Sequence, residues 1–136
     1  MTLDRIAVGI VVADPGKNAR LGIYNDGANL YPGALVVDAG VISVAGAGII
    51  AAVIAESIPR GLYWLVILSD GVPNMYFAEE GHAILGLSEG AALLRYACAT
   101  WEVAQAYGAL PDPFTAGGSR RTLRSPHISV RIGSLD

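Results

Sequence analysis

Ile6, Val8, Ile10 and Val12 stand at every second position of the opening segment. That period puts four apolar side chains on one face of an extended strand, whereas a helix would scatter them. The chain closes in the same way, with Ile128, Val130 and Ile132 separated by Ser129 and Arg131. Between these ends the apolar runs are short, and each stops at Gly, Pro, Asn or Asp. The stretch Asp14-Pro15-Gly16-Lys17-Asn18 is a turn, because Pro presets φ while Gly and Asn tolerate positive φ. Leu21 and Ile23 then share a face against Arg20 and Tyr24. Breaks are expected at Asn25-Asp26-Gly27 and again at Tyr31-Pro32-Gly33. Residues 35–38 form a short strand, which Gly40 separates from a second at 41–44. A further strand covers 49–54, and residues 58–61 turn.

Residues 62–68 are apolar at every position. A strand covered on both faces, by a facing sheet and by a neighbour, has this character. Ser69-Asp70-Gly71 is a hairpin signal, with residues 75–78 returning as its second strand. Many short strands between turn residues indicate an all-β sandwich of about eight strands. The 17 glycines and seven prolines are spread through the chain, so one domain over residues 1–136 is expected, with no linker. Residues 90–105 resist this pattern. They are rich in helix formers, and Leu94, Ala97, Cys98 and Trp101 fall at helical spacing, yet the tail from Thr100 also alternates as a strand would.

The chain is 53% hydrophobic and 15% charged, with a net charge of −3. Average domains carry about 25% charged residues. Such an apolar chain either enters a membrane or buries surface against other chains. Its most apolar run, residues 41–55, contains Ser43, Gly46 and Gly48 and falls short of the roughly 20 residues of a spanning helix. The opening residues, with Asp4 and Arg5, do not read as a signal peptide. Subunit contacts are therefore expected, with no membrane partner. No nucleic-acid partner is expected either, because Arg120, Arg121 and Arg124 read as a solvated loop or subunit ion pairs. Cys98 is the single cysteine, so no internal disulfide forms.

The search for chemistry is largely negative. Gly46-Ala47-Gly48-Ile49-Ile50-Ala51 matches the G-x-G-x-x-A of dinucleotide sites, with Asp70 placed to meet a ribose. Against that reading, the segment carries β-branched residues near its start, Pro59 closes it early, and too little chain remains for the full fold. Glu79, Glu80 and His82 read as a solvated loop before a metal site. Asn25, Asp26 and Asn29 fit turn formation as well as they fit calcium, without the spacing of a helix–loop–helix site. Asp38, Asp70 and Asp112 read as turn residues. Trp64 and Trp101 suggest a sugar-stacking platform, though Trp64 sits in an apolar run that suits a core. No catalytic, cofactor-binding or metal residue and no cofactor is assigned.

Three blocks carry a resemblance. They are residues 19–27 (ARLGIYNDG) with Tyr31-Pro32-Gly33; residues 61–65 (GLYWL); and residues 107–114 (YGALPDPF). With the opening residues 2–7 and the closing residues 128–131, they resemble a module of tailed-bacteriophage virion proteins of the minor structural and tail-fibre-associated kind. The resemblance implies a jelly-roll-like sandwich on the particle exterior, homotrimeric, assembled in the host cytoplasm and partnered by capsid or tail proteins. It carries over no catalytic residue. Two departures stand out: the chain has no fibre shaft, and residues 79–95 do not follow the pattern. A capsid decoration protein or a fibre-knob subunit, acting by packing and not as an enzyme, is the expectation. A module binding a host-surface glycan or receptor is the first alternative, and a dinucleotide-binding enzyme fragment the second. Residues 110–113 are extended and cannot form a central strand, since each proline removes a donor. They either cross between sheets or lie on a neighbouring subunit.

Overall fold

The computed structural model describes residues 1–78, 100–120 and 125–135. Six long strands build it: β1 (Thr2–Val12), β2 (Asn18–Asp26), β3 (Pro32–Ser43), β4 (Gly48–Ser57), β5 (Tyr63–Ser69) and, at the end, β11 (Ile128–Ser134). Five two-residue strands lie between: β6 (Asn74–Met75), β7 (Phe77–Ala78), β8 (Trp101–Glu102), β9 (Ser119–Arg120) and β10 (Ser125–Pro126). Among the described residues the fold is all-β, a sandwich of two antiparallel sheets. The first has the order β11-β1-β4, and the second β3-β2-β5. β6 also pairs with β1, through Ile10 and Val12, beyond the point where β11 ends. The chain therefore crosses between sheets after β1, after β3 and after β4, and only β2 and β3 form a hairpin among the first five strands.

The core lies between the sheets, and the alternation of β1 reads directly onto it. Ile6, Val8 and Ile10 are fully buried, as are Leu21 and Ile23 of β2 facing them. Ala19, Ile42, Val44, Ala52, Ile54 and Ile58 also belong to it. Leu3 also points inward, although its three-residue offset from Ile6 breaks the alternation. A bulge against β11 absorbs the extra residue, since two steps of β1 from Leu3 to Arg5 match one step from Ile132 to Arg131, as bulges do by setting two residues against one. Val12 lies past the covered region and is exposed.

Two local expectations are corrected, and one left open is answered in part. Residues 32–43 form one strand where two were expected, because Gly40, at φ +82°, is accommodated as a bulge between the pairs Arg20–Val41 and Gly22–Asp38. Positive φ at no steric cost is what glycine supplies there. Asp70-Gly71 does turn the chain, but no hairpin forms. β5 stays in the second sheet, while β6 joins β1 in the first. The turn docks instead on residues 14–18: the Asn18 amide donates to the Asp70 carboxylate at 2.7 Å, and the Val72 amide to that of Asp14 at 2.8 Å. Finally, Trp101–Glu102 is a short strand within the segment that read as either helix or strand; residues 90–99 of that segment lie outside the described residues.

Candidate interaction surface

Each sheet has an outer face, and the two are finished differently. On the second sheet, Tyr24 and Trp64 stand directly opposite each other on β2 and β5. Both are buried, and Leu35, Val66 and Leu68 surround them. Residues 107–114 cover them as a strap. Leu110 is 6% exposed and sits over Gly22, where a Cβ would collide with its methyl group. Phe114 meets Tyr24 edge-on at 5.1 Å and Tyr31 at 5.7 Å. This explains why residues 62–68 are apolar at every position. One face looks into the core, and the second is covered by the chain's own strap instead of a neighbouring subunit.

Hydrogen bonds fasten the strap along its length. The Tyr24 hydroxyl donates to the Pro111 carbonyl at 2.6 Å, the Leu110 amide to Asp38 at 3.1 Å, and the Leu35 amide to Asp112 at 3.0 Å. The Phe114 amide donates to the Gly33 carbonyl at 2.9 Å. Asp38 also receives the Arg20 guanidinium at 2.6 Å and the Gly40 amide at 2.9 Å. Asp26 accepts from the Trp64 indole at 2.9 Å. Desolvation pushes the Tyr24 phenol up to about 12, with the negative charges of Asp38 and Asp112 adding to it; burial also raises Tyr31.

The three sequence blocks behind the resemblance therefore converge on this one cluster. Arg20, Gly22, Tyr24, Asp26, Trp64, Leu110, Pro111, Asp112 and Phe114 each take part in fastening it. These acids are committed to structure. Asp26 holds Trp64, Asp38 and Asp112 hold the strap, and Asp70 holds Asn18, which uses the carboxylates considered for calcium and for a ribose. Trp64 is too buried to offer a sugar its face. Beside it, Trp101 packs on Tyr31 at 5.9 Å and borders a groove of about 570 Å³ that also includes Phe114, Gln105 and Thr115.

Among the described residues, little covers the outer face of the first sheet. Ile49 is 82% exposed and Val53 72%, and Ala51 and Ala55 are exposed between and beyond them. Ala7 and Gly9 of β1 pair with Ala51 and Ile49, and the half-exposed Tyr76 ring lies over Gly9. Charge is confined to one end of this face. There Arg131 forms a two-pronged ion pair with Asp4, at 2.8 Å through its Nε. Its hydrogen bonds to Asp4 hold that carboxyl below the ordinary range. Val130 and Ile132 of β11 point to the core side, but at the rim of the sandwich, and stay partly exposed.

The G-x-G-x-x-A match falls on this face. Gly48 begins β4, with Gly46 in the preceding bend, and Ile49, Ile50, Val53 and Ile54 continue as strand. β-branched side chains pack well on a pleated surface and lose rotamer freedom in a helix. No helix N-terminus is there to hold a pyrophosphate, which removes the structural basis of the dinucleotide reading. Among the described residues no group of three His, Cys, Asp or Glu is placed to hold a metal. Glu79, Glu80, His82, Arg121 and Arg124 lie outside the described residues, and the side chain of Arg120 is not described. The chain matches no protein family, no curated protein and no solved structure.

Proposed function

We propose that the chain is a structural subunit on the exterior of a bacteriophage particle, a capsid decoration protein or a fibre-knob subunit, which acts by packing against other virion subunits. The observation that carries the packing part is the bare apolar face of β4. Isolated exposed apolar residues are ordinary on a protein surface, but contiguous ones mark contact sites. Burying Ile49 and Val53 against a partner stabilises the contact by about 1.5–3 kcal/mol for each side chain. Apart from the buried Tyr107 hydroxyl, the polar side chains of the strap and of the residues beneath it have partners, so the chemistry of the blocks supports a rigid scaffold and not a reaction. The address on a phage particle rests on the resemblance of those blocks. Imaging of intact particles with the chain labelled tests it. Density for the label on head or tail is the expected result, and particles that lack the chain altogether would refute the reading.

A second reading draws on the groove beside Trp101. An aromatic ring with Gln105 and Thr115 close by suits a sugar, which offers an apolar face and a rim of hydroxyls. Binding on a glycan array that is lost in Trp101→Ala would favour a host-glycan-binding module. An array without any signal would leave only the packing reading.

A further inference from the structure

We infer that β4 pairs with β4 of a second copy, antiparallel across a two-fold axis at Ala51, so that the first sheets of two molecules become one continuous sheet. This deepens the packing reading above by naming its partner as a second copy of the chain. Among the described residues, β4 hydrogen-bonds to β1 alone and is an edge of its sheet. An open edge presents a row of unpaired amides and carbonyls, and proteins ordinarily guard it with charge, proline or bulges.

The other edges are guarded or covered. β3 begins at Pro32, carries Asp38, and has three register shifts against β2. β11 carries Arg131, tied to Asp4, and shifts register twice against β1. β5 is uncharged, but all of its residues are buried or half-buried. In β4, the residues from Ile49 to Val53 have no charge, no proline and no bulge, and they hold regular register with β1. Ile49 and Val53 are nonetheless the most exposed large apolar residues of any described strand.

The limits of that stretch place the axis. Gly48, at φ +114°, bounds it on one side, and the bulge after Val53 bounds it on the other. Its centre is Ala51. With Ala51 on the axis, each outward Ile49 meets the partner copy's Val53, and the two Ala51 side chains meet each other. Facing sides stay matched, because residues opposite one another in an antiparallel pair lie on the same face. The pairing is also free of charge conflict. Glu56 is the only charged residue of β4, and in this register it falls beside the glycine at position 46 of the other copy, away from its counterpart. Self-complementarity of this kind is what a two-fold contact demands. It gives a dimer where the resemblance implies a trimer.

Sedimentation of the purified chain, with cysteine cross-linking, tests this. A dimer that dissociates on dilution is expected. Ala51→Lys, at an exposed site, sets like charges against each other on the axis and should weaken dimerisation roughly tenfold or more. In a Cys98→Ser background, Ala51→Cys should join two copies through a disulfide, while Val53→Cys should not, since its opposite is Ile49. A monomer at every concentration, a trimer, or a dimer indifferent to Ala51→Lys that fails to cross-link through Ala51→Cys would overturn the inference. These outcomes are separate from particle location: a monomer found on particles defeats the two-fold pairing alone.

Discussion

The strapped face of the second sheet and the bare face of the first are built from similar strands and end in opposite states. Both carry apolar side chains at alternate positions. Over β2 and β5, the chain supplies its own cover, and Tyr24, Trp64 and Leu110 are withdrawn from water. Over β1 and β4, the described residues supply almost none, and Ile49 and Val53 are exposed. An apolar residue does not by itself declare a core position. What decides is whether some segment of chain is tied down on top of it. The strap is tied by the Tyr24 hydroxyl, Asp38, Asp112 and the Gly33 carbonyl, which turn a two-sided strand into a rigid layer.

Substitutions on the two faces should therefore differ sharply. Trp64→Ala removes the ring under the strap and frees the Asp26 carboxylate, and should cost about 3–5 kcal/mol of stability in urea unfolding. A loss within 1 kcal/mol would mean that the strap is not part of the cooperative fold. Next in size is a dependence on base. The Tyr24 phenol is raised from 10.0 to about 12 by its burial, so ionisation is favoured in the unfolded chain. Its stabilising effect is whole below pH 10 and is lost as pH rises through about 12, a fall of about 2–3 kcal/mol. Unfolding curves at intervals over that range should show the slope, and Tyr24→Phe should flatten it.

Smaller still is Asp112→Ala, which deprives the Leu35 amide of its acceptor and should cost about 1 kcal/mol. The strap should then exchange its amide hydrogens faster while the core strands do not. Least of all, Val53→Thr keeps the β-branched shape on the bare face and should change monomer stability by no more than about 0.5 kcal/mol. A cost like that of Trp64→Ala would erase the distinction between the faces.

Much of the sandwich was legible in the sequence. Ile6, Val8 and Ile10 announced their strand and its buried face, and the unbroken apolar run of β5 announced two covered sides. The source of the second cover was not legible. Residues 110–113 read as extended, but only the fold brings Leu110 over Gly22 and Phe114 against Tyr24. Asp70-Gly71 read as a hairpin because a turn's chemistry says that the chain reverses, not which sheet receives it. Gly40 read as a break because a bulge and a strand end use the same residue. The bare face was hidden for a different reason. Residues 49–54 are apolar on both sides, so no alternation distinguishes the buried Ala52 and Ile54 from the exposed Ile49 and Val53. The overall apolar composition exceeds what the core takes up, and β4 is where much of the exposed remainder lies.

The most direct test is amide hydrogen exchange on the chain at low and at high concentration. If β4 is the surface left for a partner copy, protection should rise with concentration across Gly48–Ser57 and stay constant across the strap at residues 107–114. Unchanged exchange in β4, or protection that rises on the strap instead, would contradict the assignment of one face to the chain's own cover and the other to association.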